Sequence, residues 1–284
     1  MTTTHDNEQP ILVIGGTGKT GRRVAQRLGD RGVPVRIASR SSEIPFDWED
    51  PSTWGAALDG TRAVYISYYP DLAAPGAPEA VRSLADAALE RGVRRLVLLS
   101  GRGEVEAQRA EQAVFDSGAD VTVVRCAWFM QNFSEDFLRD AVLSGEIVLP
   151  GGDALEPWVD VDDIADVAVA ALTEDGHVGE LYELTSPRLL SMTDVAAQLG
   201  RATATEVRYI PVSVEDYTTA AAAHGVPEEL LGHLAYLFSE VFGHNAYTVD
   251  GVQRAIGRRA RDFATFARDA AVAGAWTTPV EATA

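Results

Sequence analysis

Residues 11–21 read Ile-Leu-Val-Ile-Gly-Gly-Thr-Gly-Lys-Thr-Gly, an apolar run that passes directly into a glycine-rich segment. Ile11–Ile14 predicts a short buried strand, and the residues from Thr20 to Leu28 predict a helix with one apolar face. Three glycines, spaced three residues apart, fill the turn between them: Gly15, Gly18 and Gly21. The segment therefore predicts a strand-turn-helix unit at the start of an α/β sheet.

A glycine turn in this context is typical of dinucleotide binding. Glycines permit the tight turn, the close approach of a pyrophosphate and the close packing of helix on strand. The start of the helix adds free N–H donors and the positive end of its dipole. We expect the cofactor-binding residues of the turn to be Gly15, Thr17, Gly18, Lys19, Thr20 and Gly21.

Two alternatives to a dinucleotide turn remain open. Gly18-Lys19-Thr20 resembles the end of an NTPase phosphate loop, but that loop needs a glycine where Val13 stands. No later strand ends in the aspartate that would bind the metal of such an NTPase. A glycine turn without a ligand is the second alternative.

The segment Ala38–Ser42, after the second predicted strand, distinguishes NAD from NADP. An NAD site usually places an acid about 20 residues after the glycines, where it binds the ribose 2′-hydroxyl. Here the first acid is Glu43, whereas Ser39 and Arg40 are suited to a 2′-phosphate. The sequence therefore predicts that the cofactor is NADP(H). The alternative is that Arg40 is a solvated loop residue that binds no phosphate.

The rest of the first half alternates strands with helices. Predicted strands are Val33–Ala38, Ala63–Ile66, Arg95–Leu99 and Val121–Arg125, and predicted helices are Trp54–Leu58, Glu79–Arg91 and Glu104–Ser117. Such alternation, with strands apolar throughout, predicts a doubly wound parallel sheet with helices on both faces, the Rossmann fold.

The pattern changes in the second half. After Asp136 the alternation loosens, and helices predominate in 163–172, 193–199, 214–243 and 251–270, with a break at Gly225–Pro227. We expect a smaller, mostly helical lobe. The predicted organisation is a disordered segment 1–9, an NADP-binding domain 10–155, and a substrate lobe 156–284 with one strand, at about 181–184, returning to the sheet.

Composition narrows the range of partners. The net charge of −18 disfavours nucleic acid, and no apolar stretch is long enough to span a membrane. The single cysteine, Cys126, fits a reducing cytoplasm, and neither it nor the five histidines have metal-ligand spacing, so we expect no metal. The expected partner is a small-molecule substrate, with a homodimer as the candidate assembly.

One catalytic arrangement is excluded outright. Many short-chain dehydrogenases use a Tyr with a Lys four residues later, which lowers the tyrosine pKa. The only lysine here is Lys19, and the residue four positions before it is Gly15. Ser100, in Leu-Leu-Ser-Gly-Arg, does not lie in the nucleophile elbow of hydrolases either.

These motifs together resemble the NmrA-like group of atypical short-chain dehydrogenases. The resemblance runs from about Ile11 to Trp276 and is carried by the glycine turn, Ser100-Gly101, Glu111, Arg125, 128–133 and 159–165. More narrowly, the segments 39–42, 46–48, 51–54 and 131–135 resemble the ergot-alkaloid reductases, the festuclavine and agroclavine dehydrogenases.

The resemblance implies a place for each site residue. Gly15, Thr17, Gly18 and Lys19 would hold the pyrophosphate, and Arg40 the 2′-phosphate. Further residues would surround the rest of the dinucleotide and the substrate: Phe46 and Asp47 beside the adenine, Tyr65 to Tyr69 and Ser100 along the dinucleotide, and Trp128, Phe129 and Asn132 facing nicotinamide and substrate.

The expected activity is an NADPH-dependent reduction of an electron-poor small molecule. An iminium needs only hydride, whereas a quinone or enone also needs a proton. The candidate catalytic residues are Tyr65, Tyr68, Tyr69, Ser100, Trp128 and Asn132, or water in their place. The alternatives are a non-catalytic NADP(H) sensor of the kind known in the group, acting through a protein partner, and an isomerase or dehydratase with bound NADP.

Overall fold

The computed structural model describes residues 8–277, which form two compact units. The first unit comprises residues 8–127, 161–185 and 250–259, and the second comprises 128–160, 186–249 and 260–277. Residues 1–7, which belong to the segment predicted to be disordered, lie outside the described residues. Helices and strands are numbered in chain order.

The first unit is built on a six-stranded sheet. Its strands are β1 (Ile11–Ile14), β2 (Val35–Ala38), β3 (Ala63–Ile66), β4 (Arg95–Gly101), β5 (Asp120–Cys126) and β8 (Leu181–Leu184). Its helices are α1 (Lys19–Asp30), α2 (Trp54–Leu58), α3 (Ala77–Glu90), α4 (Val105–Phe115), α7 (Val161–Thr173) and α11 (Gly251–Ile256). The spatial order is β2-β1-β3-β4-β5-β8, and every pair is parallel. The predicted doubly wound parallel sheet is confirmed.

Burial explains why these segments form central strands. All four residues of β1 and all four of β3 are buried, as expected where helices cover both faces of a sheet. Helices α1 and α7 pack together, as do α3 and α4. β2 begins two residues later than predicted because the Val33 N–H donates to the Leu28 carbonyl and closes the end of α1.

The second unit combines short strands with helices. Its strands are β6 (Glu146–Leu149), β7 (Leu155–Glu156), β9 (Leu190–Ser191) and β10 (Arg208–Pro211). Its helices are α5 (Asn132–Glu135), α6 (Arg139–Ser144), α8 (Met192–Thr203), α9 (Val214–Ala223), α10 (Glu228–Tyr236), a π-helical turn at Leu237–Val241, and α12 (Phe263–Val272). β6 pairs parallel with β10, and β7 antiparallel with β9. The predicted break at Gly225–Pro227 separates α9 from α10.

The predicted linear boundary after residue 155 does not match this division. Residues 128–155 belong to the second unit, whereas 161–185 and 250–259 belong to the first. The physical reason is packing: α7 lies against α1, and α11 lies against both α7 and β8. β8 joins the sheet beside β5, which is the return to the sheet that the sequence predicts.

None of the helices within residues 8–277 is both long enough and apolar enough to cross a membrane.

Candidate functional site

The glycine turn between β1 and α1 is shaped by backbone contacts. Gly15 has a φ of +70°, and its N–H donates to the Ala38 carbonyl at 3.0 Å, which ties the turn to the end of β2. The Gly18 N–H donates to the Gly15 carbonyl at 2.9 Å. A Cβ on Gly21 would lie 2.2 Å from the Gly15 carbonyl oxygen, so no side chain fits there. The glycines therefore bring the helix against the turn.

The start of α1 is open to a ligand. Its N-cap residue is Gly18, which supplies no side-chain cap, and the first turn of the helix carries no acid. Thr17 and Gly18 are exposed, Lys19 is half-buried, and Thr20 is buried. Backbone N–H groups at such a helix start attract anions.

The turn lies where the strand order reverses. β1 has β2 on one side and β3 on the other, and open α/β sheets bind ligands in the crevice at such a point. Ser67, directly after β3, lies against the turn, because its Cβ is 3.2 Å from the position that a Cβ on Gly15 would occupy. Ser67 lies inside the predicted segment Tyr65 to Tyr69, although no motif marks this residue itself.

Polar groups at the end of β2 adjoin this crevice. The Ser39 hydroxyl oxygen is buried and has no hydrogen-bond partner in residues 8–277. Arg40 is exposed, and its guanidinium carbon lies 5.2 Å from the centre of the Tyr69 ring. No carboxylate in the described part of the chain forms an ion pair with Arg40. Both groups are arranged to meet an external acceptor of hydrogen bonds or a negative charge.

The adjacent segment contains Phe46 and Asp47, the two residues predicted to lie beside the adenine. Phe46 is only 3% exposed and stacks on Trp54, with Trp48 edge-on at 5.0 Å. Its ring belongs to the core of the first unit, and its place beside the adenine stays a prediction. Asp47 is half-buried, and its carbonyl accepts the Trp54 indole N–H at 2.7 Å.

The three candidate tyrosines have unequal access to solvent. Tyr65 is completely buried, and burial raises its pKa, while its catalytic role stays a prediction. Tyr68 is half-buried against Trp48, and its pKa is raised by burial and by nearby Glu49 and Glu79. Tyr69 is 64% exposed and lies beneath Arg40.

Ser100, near the end of β4, is held by a buried charge network. Its hydroxyl donates to the carboxylate of Glu111, a residue only 3% exposed on α4. The Arg125 guanidinium also binds Glu111, with Nε 2.9 Å from Oε1. Because the Ser100 proton is committed to Glu111, the lone pairs of its oxygen are left to accept a hydrogen bond.

The network continues along the carboxyl end of the sheet. Arg125 lies 3.7 Å from Glu183 on β8, and the Arg102 Nε donates to the same carboxylate at 2.7 Å. One feature of the sequence indicates this network: Glu111 occupies the same helix face as buried Ala107 and Val114. A charged residue on an apolar face indicates a buried partner.

The substrate-side candidates belong to the second unit. Trp128 is half-buried, with its ring centre 5.7 Å from Phe238 and 5.5 Å from Phe242. Phe129 is half-buried and forms a backbone bridge with Val159, and Asn132 is buried at the start of α5. Their roles toward nicotinamide and substrate stay predictions.

A doubly wound sheet with a glycine turn at its switch point defines the dinucleotide-binding class of α/β folds. Within that class, the chain belongs to the NmrA-like family, whose family model matches residues 7–267.

Two curated relatives extend the comparison. The chain is 33% identical to an NAD(P)H azoreductase of Xenophilus azovorans over 93% of this chain and 98% of the relative. It is 31% identical to the agroclavine dehydrogenase of Claviceps fusiformis over 91% and 96%. The resemblance to the ergot-alkaloid reductases is thus confirmed, and it extends beyond them.

Solved structures support the fold. The triphenylmethane reductase of a Citrobacter species, complexed with NADP(H), is 23% identical, with a TM-score of 0.72, covering 92% of this chain and 99% of that one. NmrA, a negative transcriptional regulator, is 18% identical, with a TM-score of 0.69, covering 92% and 95%. At these identities the likeness concerns the fold alone.

Proposed function

We propose that this protein is an NADPH-dependent reductase that transfers hydride to an electron-poor small molecule. The observation that carries the proposal is the combination of an uncapped glycine start of α1 with Arg40, which lacks an acidic partner within residues 8–277. The named relatives support it: one is an NAD(P)H azoreductase, and a protein of the same fold is complexed with NADP(H).

The residues of the first unit fit a dinucleotide. A Cβ on Gly21 would meet the backbone of the turn, and the buried Ser39 hydroxyl has no hydrogen-bond partner within residues 8–277. Both features suit a bound phosphate. Gly15 to Gly21 would hold the pyrophosphate, including the side chains of Thr17, Lys19 and Thr20. Ser39 and Arg40 would hold the 2′-phosphate, and the backbone at Phe46 and Asp47 would lie beside the adenine.

The bound nicotinamide supplies the hydride. The protein's part is to bind and orient the cofactor, with the Ser100 oxygen accepting a hydrogen bond from a cofactor hydroxyl or amide. No tyrosine-lysine pair assists, because the only lysine is Lys19. This favours acceptors that are already polarised, such as iminium ions, quinones and enones.

A screen of acceptors tests the proposal. The protein is incubated with NADPH and, separately, with cyclic iminium ions, quinones, azo dyes and cationic triphenylmethane dyes. We expect the NADPH absorbance to fall with at least one acceptor class. In the same assay with NADH as the coenzyme, the NADH absorbance should fall more slowly. Absence of turnover with every class would contradict a reductase.

An NADP(H) sensor is the second candidate. The observation that favours it is that Tyr65 is buried and that the Ser100 proton is committed to Glu111, so neither is free to act as an acid. A sensor predicts saturable binding with a clear preference between NADP⁺ and NADPH, and no turnover in the same screen.

A further inference from the structure

Two carboxyl groups meet at the carboxyl end of the sheet in the first unit. Glu104 follows β4 and is the N-cap residue of α4, and Asp71 follows β3. Glu104 is only 7% exposed, and its carboxyl lies close to Gly101: a Cβ on Gly101 would be 1.9 Å from Oε1. Gly101, the residue after Ser100 in the chain, therefore makes room for a buried acid.

One oxygen of the buried acid lacks a donor among the described residues. Within residues 8–277, the Glu104 Oε2 atom is buried and no N–H or O–H group donates to it. The group within reach is the Asp71 carboxylate, which is itself an acceptor, so only a proton placed between the two carboxyl groups satisfies both.

The surroundings keep that proton on Glu104. Burial, followed by the charge of Asp71 and the hydrogen bond to it, raises the pKa of Glu104 to about 8. Arg102, the cation nearest in the chain, is bound to Glu183. Asp71 is the charged group in the described residues that acts on Glu104, and it disfavours ionisation.

The position of the pair suggests a use for its proton. β3 and β4 are adjacent and parallel, so the residues that follow them lie at the edge where open α/β sheets bind their ligands. We propose that Glu104 is the proton donor of the reduction, held and oriented by Asp71. This inference rests on the proposed reductase function.

The proposed step balances for a quinone. The quinone gains two electrons and one hydrogen as hydride from the reduced nicotinamide. Its remaining oxygen forms an O–H bond as the Glu104 O–H bond breaks, which leaves a hydroquinone and an ionised Glu104. Water then reprotonates the carboxylate. A cationic triphenylmethane dye differs, because hydride on its central carbon neutralises the cation and no proton is needed.

This difference between acceptors makes the test selective. Glu104→Gln keeps the shape of the protonated acid but cannot release a proton. We measure the steady-state reduction of menadione and of crystal violet, and NADPH affinity by fluorescence titration. The ratio of the menadione rate to the crystal violet rate should fall at least 100-fold, in line with the contribution of a general acid. NADPH affinity should stay within about 3-fold.

Glu106→Gln is the matched control. Glu106 lies two residues further along the same chain segment, and it pairs with Arg109 on the surface. Neither rate should change in this variant. If Glu104→Gln slows both acceptors equally, or neither, the proton-donor role is overturned while the reductase stands. Wild-type protein that reduces the dye alone, or neither acceptor, also overturns it. The reductase proposal is overturned only if the full screen of acceptor classes shows no turnover.

The protonation state can be read without cofactor. Infrared difference titration of the wild-type protein should show a carboxyl group that loses its proton near pH 8. Glu104→Gln should abolish that signal. Asp71→Asn removes the neighbouring charge and should move both the signal and the alkaline limit of menadione reduction to lower pH. A titration in which Glu104 ionises near the pH of a solvent-exposed glutamate contradicts the proposal.

Discussion

The glycine turn and the Ser100 network lie at the same end of the sheet but are built in opposite ways. In the turn, Gly21 excludes side chains and Gly18 leaves the start of α1 uncapped. In the network, the buried polar groups of Ser100, Glu111 and Arg125 bind one another. An open region of backbone donors is suited to a ligand, whereas a closed network stabilises the sheet and fixes the orientation of a neighbouring hydroxyl. Four variants, in the network, in the turn and at the adjoining ends of β2 and β3, test this difference.

Removing the centre of the network should have the largest effect on stability. Glu111→Ala removes the carboxylate closest to Arg125, whose guanidinium is mostly buried. Leaving a buried charge without its partner typically destabilises a protein by about 3 kcal/mol. Glu106→Ala, which removes an exposed partner of Arg109 next to the start of the same helix, should change stability by about 0.5 kcal/mol or less. Chemical denaturation checks both. Equal midpoints would show that the network contributes little.

A side chain in the turn should disturb ligand binding as well as stability. In Gly21→Ala the new methyl group would meet the Gly15 carbonyl, and relieving that overlap destabilises the fold by about 2 kcal/mol and displaces the donors of the turn. NADPH affinity should fall more than 10-fold. Gly29→Ala is the control, because a Cβ there meets no atom within 4 Å and α1 should be unharmed. Undiminished NADPH binding by Gly21→Ala would place the cofactor elsewhere.

Charge reversal at the end of β2 should change selectivity without changing the fold. Arg40→Asp removes the group proposed to bind the 2′-phosphate, so NADPH affinity should fall by roughly 10–100-fold. NADH affinity should hold or rise. Arg94→Asp makes the same charge change just before β4, at the amino end of the parallel sheet, whereas Arg40 lies at the carboxyl end. It should leave both affinities unchanged. If the ratio of the two affinities is the same in Arg40→Asp as in wild type, Arg40 does not contact the 2′-phosphate.

The smallest expected effect concerns the ring beneath Arg40. Tyr69→Ala removes an exposed cation–π contact, which contributes about 0.5–1 kcal/mol to holding the guanidinium in place. NADPH affinity should fall about 2- to 5-fold by calorimetry. Tyr69→Phe keeps the aromatic face and should bind as wild type. Loss of affinity in both variants would assign the effect to the hydroxyl group.

Features encoded by neighbouring residues could be predicted from the sequence. The strand-turn-helix unit at Ile11–Gly21 depends on an apolar run and on glycines a few residues apart, and the sheet follows from the same alternation repeated along the chain. The absence of a tyrosine-lysine pair needed only the position of Lys19.

Features that depend on contacts between distant residues could not be predicted. Nothing in the local pattern distinguishes the core ring of Phe46 or the enclosed Tyr65 from accessible aromatic residues. The approach of Asp71 to Glu104 arises from the pairing of β3 with β4 rather than from a motif. The two-stranded sheet of β7 and β9 could not be predicted because each strand has only two residues, too few for an alternating pattern.

Cofactor titration of the unmodified protein tests the central claim most directly. Calorimetric or fluorescence titration with NADPH and with NADH should show saturable binding of NADPH, at least 10-fold tighter than that of NADH, because Arg40 adds a charged hydrogen bond to the 2′-phosphate. Failure of both coenzymes to bind would contradict a dinucleotide site at the start of α1. Equal affinity for the two would contradict the role of Arg40.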